Sequence, residues 1–162
     1  MINLNAERLA KINMLQRKNR RNNLIKVLSF MHVDASCFLD SCANEVFCKT
    51  VFSVLDTKEH KIQIHGANHN ECMQTSMRLI HDTLRGMGVT STYGRLLFFR
   101  DNEIEAVRVP IDGVCRNVAA LFDITKFSIG LGDFILVAED FRFGLCIERT
   151  EYFYECSVWG LS

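Results

Sequence analysis

No glycine or proline occurs before Gly66; all nine glycines and the single proline, Pro110, fall in the last 97 residues. Those two residue types interrupt helices and make turns, so their absence predicts a helical first half and their clustering a turn-rich second half. Asn5 is placed to cap a first helix with Glu7 in its opening turn. Leu9, Ile12 and Leu15 start an apolar stripe that lapses through 17–23 and resumes at Leu24, Ile25, Leu28 and Met31. The lapse is either an exposed helical turn or a break between two helices. Asp34 or Ser36 caps the next helix, which runs through Phe38, Leu39, Cys42 and Val46 to about Leu55.

Lys61–His65 alternates as a short strand that ends at Gly66. Asn70 caps a helix whose Met73, Met77, Ile80, Leu84 and Met87 recur at 4, 3, 4, 3 spacing, and Gly86 and Gly88 stop it. Arg95–Arg100 and Glu103–Val109 read as a hairpin about Asp101-Asn102. Asp112 opens a helix with the stripe Val114, Val118, Leu121, Phe122. The tail reads as a three-stranded meander. Phe134–Ala138 is expected to be a central strand, since a run apolar on both faces needs two apolar surroundings. The expected fold is α+β, a helical N-terminal half packed on a mainly antiparallel C-terminal sheet. One domain, 1–162, comprises a basic helical segment 1–33, a helical part 34–88 with one short strand, and a mainly β part 94–160 with one helix.

Charge divides the same chain differently. Residues 1–26 hold seven Lys/Arg against Glu7 alone, whereas 101–162 hold eleven acids and five bases. A formally neutral chain is thus a basic head joined to an acidic tail, and opposite fields attract different partners or each other. The longest aliphatic or aromatic runs, Phe134–Ala138 and the equally long Val118–Phe122, are far too short to cross a membrane, and the N-terminus turns charged too early for a secretory signal. Seven scattered cysteines without a Cys-x-x-Cys pair suit a reducing compartment. The expectation is a cytoplasmic protein with no membrane partner.

Three constellations carry chemistry. Cys72 falls in the first turn of the Asn70-capped helix, where the dipole lowers a thiol pKa. Only His65 or His69 could serve it as a base, because His81 lies about 180° around the helix. His65, His69 and Cys72, with His60, also form a loose metal-ligand set of no common spacing. Arg17, Lys18, Arg20 and Arg21 make a basic patch suited to phosphates, although no aromatic precedes Phe30 to stack on bases. Gly130-Leu131-Gly132 is too short for a phosphate loop. Glu139, Asp140, Glu148, Glu151 and Glu155 cluster where the meander turns, beside Tyr152, Tyr154 and Trp159. Acids next to aromatics suit a docking surface for a basic protein.

The stretch Gly132-Asp133-Phe134-Ile135-Leu136-Val137, Asp140–Glu148 and Tyr152–Gly160 resembles the C-terminal hairpins of small bacterial immunity proteins. These are the cytosolic antidotes of contact-dependent and other polymorphic toxin systems. The resemblance covers about thirty residues and implies a non-enzymatic protein that binds one cognate toxin domain, often a nuclease with a basic groove. No cofactor is implied. The expected function is therefore a binding protein acting through Glu139, Asp140, Glu148, Glu151, Tyr152, Tyr154, Glu155 and Trp159. The alternatives are a nucleic-acid-associated regulator using the basic segment and a thiol- or metal-dependent enzyme centred on Cys72. A basic head docked on another copy's acidic tail would give a homodimer.

Overall fold

The computed structural model describes residues 4–58, 61–100 and 103–160. His60 and the Asp101-Asn102 turn lie outside the described residues. Helix α1, Leu4–Val27, is continuous, with Glu7 and Lys26 complementing its dipole at the two ends. The lapse at 17–23 is therefore helical. Leu9, Ile12 and Leu15, expected to start a core stripe, are instead 59%, 50% and 60% exposed; the core begins at Leu24 and Leu28. The face carrying Leu24 and Leu28 runs back through Arg21 and Arg17, seven and eleven residues before Leu28, and then through Ala10. It never reaches Leu9, Ile12 or Leu15.

The second helix also starts later than expected. Asp34 caps only a single 3₁₀ turn, Ala35–Cys37, after which the chain extends at Phe38 and bridges Val107. Asp40 then caps α2, Ser41–Asp56, by accepting from Ala43 N at 2.8 Å. Val46 is exposed; Asn44, Phe47, Cys48, Val51 and Leu55 form the buried face. Strand β1 is Ile62–Ile64. Helix α3, His69–Gly86, is capped by Asn68 rather than Asn70, through Glu71 N at 2.9 Å. Ile80 and Leu84 of its stripe are buried, and Met73, Met77 and Met87 pack partly buried against the same core.

Strands β2, Tyr93–Arg100, and β3, Glu103–Pro110, form the expected hairpin. The helix expected after Asp112 divides at Asn117 into α4, Ile111–Arg116, and α5, Val118–Ile124. Pro110 stands at the cap position of α4, and Asp112 pairs with Arg116 instead. Val114, Val118, Leu121 and Phe122 are all buried. Strands β4, Phe134–Val137, β5, Gly144–Arg149, and β6, Tyr154–Trp159, make the meander, and every residue of β4 is buried.

The six strands form one antiparallel sheet of order β1-β6-β5-β4-β2-β3. One face packs Leu96, Phe98, Val107, Phe134, Leu136, Leu145 and Ile147 with residues of α3, α4, α5 and the end of α1. The other packs Leu97, Ala106, Ile135, Val137 and Cys146 with α2. Burial of both faces requires apolar residues at both parities, which β4 supplies. The architecture is α+β. The outer edge of β3 is closed by Asn44, which donates to Ile104 O at 2.8 Å and accepts from Ala106 N at 2.9 Å. Asn44 thereby occupies two of the outward backbone groups that a further strand would pair with. No helix among the described residues is long and apolar enough to cross a membrane.

Candidate interaction surface

Strand alternation sends Cys146 and Glu148 to the α2 side of β5, and the register sets Glu148 directly opposite Glu155 of β6. Phe134 pairs with Ile147, so one residue outward Asp133 comes beside Glu148. On the other flank Gln63 of β1 pairs with Glu155. Asp133, Glu148, Glu155 and Gln63 thus form one row across four neighbouring strands. Like charges opposite each other in a sheet are destabilising unless a cation intervenes. Lys61 is that cation, with Nζ 3.4 Å from Glu148 Oε2 and 3.6 Å from Glu155 Oε2.

The titration shifts follow this arrangement. Burial first, then Glu148, pushes the Asp133 carboxyl above its ordinary range. Burial works against the Lys61 ammonium, but Glu148 and Glu155 outweigh it and hold its pKa above the usual lysine value. Burial and then Glu148 raise the Cys146 thiol far above a reactive range. One ammonium stands among three carboxylates and pairs with two of them, Glu148 and Glu155, so with all three ionised the row carries a surplus of two negative charges. Just beyond the row, the β5–β6 turn presents Glu151 and Tyr152, the latter 82% exposed. Thr150 N donates to Phe153 O at 2.9 Å and Phe153 N to Thr150 Oγ1 at 3.2 Å, so the turn is fixed.

Four of the eight expected interface residues therefore come together: Glu148, Glu151, Tyr152 and Glu155. The other four do not. Glu139 and Asp140 lie in the β4–β5 turn, at the opposite end of β5, about 17 Å away at the usual rise per strand residue. Glu139 is flanked there by Arg108 Nε at 3.2 Å and Arg95 Nη2 at 3.5 Å. Asp140 faces Arg142 Nε at 3.7 Å and accepts from its backbone N–H at 3.2 Å. Trp159 shares that end, donating from Nε1 to Phe141 O at 3.1 Å and packing on Gly144, where a Cβ would come within 2.1 Å of its ring. Tyr154 turns to the opposite face from Glu155 and is buried, its hydroxyl bonded to His69 Nδ1. Asp133 and Lys61 belong to the row but not to the expected set. Only the strand register identifies them.

The basic patch folds onto the acidic part of its own chain. Glu105, 1% exposed, receives Arg17 Nε at 3.1 Å, with Arg20 Nη2 at 3.5 Å and Arg21 Nε at 3.7 Å from the same oxygen. Arg20 also reaches Glu103 at 2.6 Å, and Arg17 and Arg21 both donate to Leu39 O. Lys18 remains exposed. Burial foremost, then Arg17, lowers the pKa of Arg21 despite Glu105.

Cys72 and His69 share a cleft of about 400 Å³ between the start of α3 and the β5–β6 turn, with Arg149, Glu151 and Tyr152. They are not an assembled pair. The buried Cys72 Sγ sits 4.0 Å from Ile64 O. His69 Nε2 lies 3.0 Å from Ser128 O, and a carbonyl only accepts, so Nε2 carries the proton and Nδ1 accepts from Tyr154. Both ring nitrogens are occupied by groups other than the thiol. His65 lies against Phe153 and pairs with Gln63. Among the described residues, no three His, Cys, Asp or Glu side chains converge as metal ligands.

No curated protein and no solved structure matches this chain. The family model described as YxiF protein matches residues 24–159. That stretch opens at the first core residue of α1, closes on the last residue of β6, and contains the whole sheet with its acidic row. The chain belongs to the YxiF protein family.

Proposed function

We propose that this chain is a non-enzymatic binding protein whose acidic row and adjoining β5–β6 turn dock a basic protein partner. Its most concrete form is a cytoplasmic immunity protein that occludes a cognate toxin domain. The observation that supports this is the surplus of charge at one built site: Asp133, Glu148 and Glu155 stand in one cross-strand row with Lys61 as their cation. Carboxylates held by strand register are preorganised, so they meet a partner's Lys or Arg with little ordering entropy. On a nuclease-like partner they would occupy the positions of substrate phosphates. Tyr152 supplies the exposed aromatic anchor and Glu151 a further steering charge.

The test compares tagged wild type with D133N/E148Q/E155Q in capture from the protein's own cells, at physiological and at high salt. The expected result is one stoichiometric basic protein retained by the wild type, released by salt and lost with the triple variant. If that partner is a toxin, its activity stops at equimolar wild type. Equal capture by both proteins would place the interface elsewhere.

A further inference from the structure

A groove runs along α1 where it passes the 3₁₀ turn Ala35–Cys37, away from the acidic row. Its walls are Arg17, Lys18, Arg21 and Asn22, its apolar surface comes from Met14, Ile25, Ala35 and Phe38, and its volume is about 310 Å³. Three cations line it and no carboxylate does. Glu105, which neutralises part of Arg17 and Arg21, is itself buried and does not line the groove. Three guanidinium groups face Glu103 and Glu105 in that cluster, with Asp40 acting on Arg21 as well. Lys18, exposed and outside that cluster, makes the groove side net positive.

The apolar part is equally defined. Met14 is 71% exposed, and the Arg21 guanidinium lies 5.5 Å from the centre of the Phe38 ring. The stripe continues along the helix: Lys11, Met14, Lys18, Arg21 and Ile25 follow at spacings of 3, 4, 3 and 4. Such a line of interspersed cations and apolar groups is longer than a small anion needs. Nucleic acid would find the cations but no use for Met14 and Ile25, and no exposed aromatic to stack on in α1.

We infer that this groove is a second docking site, for an acidic peptide segment of a partner protein that carries an apolar anchor side chain. The anchor enters between Met14, Ile25 and Phe38, while flanking Asp or Glu side chains meet Arg17, Lys18 and Arg21. Helix-in-groove and acidic-motif recognition use this combination. The site is distinct from the acidic row, so its failure leaves the proposed function intact.

The probe is a fluorescein-labelled synthetic peptide of alternating Glu and Phe/Leu turns, titrated into the full chain and followed by anisotropy. Binding in the micromolar range that weakens with salt is expected. K18E/M14E, two exposed positions outside the Glu105 cluster, should weaken it about tenfold while leaving the melting temperature unchanged. A poly-glutamate peptide without apolar residues should bind at least about tenfold more weakly. Equal binding to K18E/M14E and wild type, or no saturable binding, would overturn the assignment. Displacement by duplex RNA or by phosphatidylglycerol vesicles more readily than by unlabelled peptide would also overturn it, in favour of a phosphate-bearing ligand.

Discussion

At the β3 edge, three guanidinium groups close around the buried carboxylate of Glu105; at the far end of β4–β6, three carboxylates stand in a row with one ammonium, Lys61, paired to two of them. The two regions use the same side-chain chemistry to opposite ends. The first fastens α1, whose buried contacts with the core are limited to its last turns, onto β3 and the Leu39 carbonyl. The second ties down the three-residue β1 and leaves a surplus of negative charge on partly solvated side chains. Charge that holds an element in place is structural, and charge left over at fixed positions is available for recognition.

Removal of Glu105 should show the largest effect. Its carboxylate is nearly inaccessible and three partly buried arginines depend on it, so E105Q leaves clustered cations without a counter-charge. A stability loss of about 3 kcal/mol is expected from the denaturant midpoint, since stranding buried charges is far more damaging than losing a surface pair. Amide exchange in α1 should accelerate with it. A loss below about 1 kcal/mol would reduce the cluster to ordinary surface pairs and dissolve the contrast with the acidic row.

R17A removes one of the three arginines and should be milder. Glu105 keeps Arg20 and Arg21, and the Leu39 carbonyl keeps Arg21. A loss of about 1.5–2 kcal/mol is expected, the lower part of the range for hydrogen bonds to charged groups. A loss equal to that of E105Q would mean that Arg17 alone carries the anchor.

The fold was legible wherever periodicity decides it. The doubly apolar β4, the α3 stripe and the β2–β3 hairpin each follow from residue spacing, and each stands where it was expected. Helix starts were less legible, because several capping-competent residues stand close together. Asn68 and Asn70, or Asp34 and Asp40, differ only in what the neighbouring backbone does. The Phe38–Val107 bridge is what extends the chain past Asp34. The two charged regions were the least legible. Membership in the acidic row depends on strand register, which joins Asp133, Glu148 and Glu155 across 22 residues of sequence and excludes Glu139. The fate of the basic patch depends on where α1 crosses β3, and no local pattern encodes that.

Within the acidic row, D133N probes the surplus through its pH dependence. The folded state raises the Asp133 pKa, so the native protein binds more protons than the unfolded chain between the ordinary aspartate value and the raised one. Stability associated with this group therefore falls as pH rises through that window. D133N, which cannot ionise, should exceed the wild type at neutral pH by less than about 1 kcal/mol. That advantage should vanish as the pH drops below the ordinary aspartate range. A variant less stable than wild type at neutral pH would mean that the backbone N–H of Arg149, which donates to the Asp133 carboxylate, outweighs burial and the repulsion from Glu148.

The smallest effect expected is also the most specific to the comparison. Gln63 pairs with Glu155 across β1 and β6, at the open flank of the row. Q63K would place a second ammonium there and halve the surplus, bringing the acidic end closer to charge balance. Relief of the Glu148–Glu155 repulsion should stabilise the fold by only a few tenths, about 0.3 kcal/mol, because both side chains are partly solvated. The same change should weaken capture of a basic partner several-fold, chiefly by slowing association, and more at low salt than at high salt. Stability and recognition then move in opposite directions from one substitution. If both improved together, the row would be structural like the Glu105 cluster, and the partner would have to be sought at another surface.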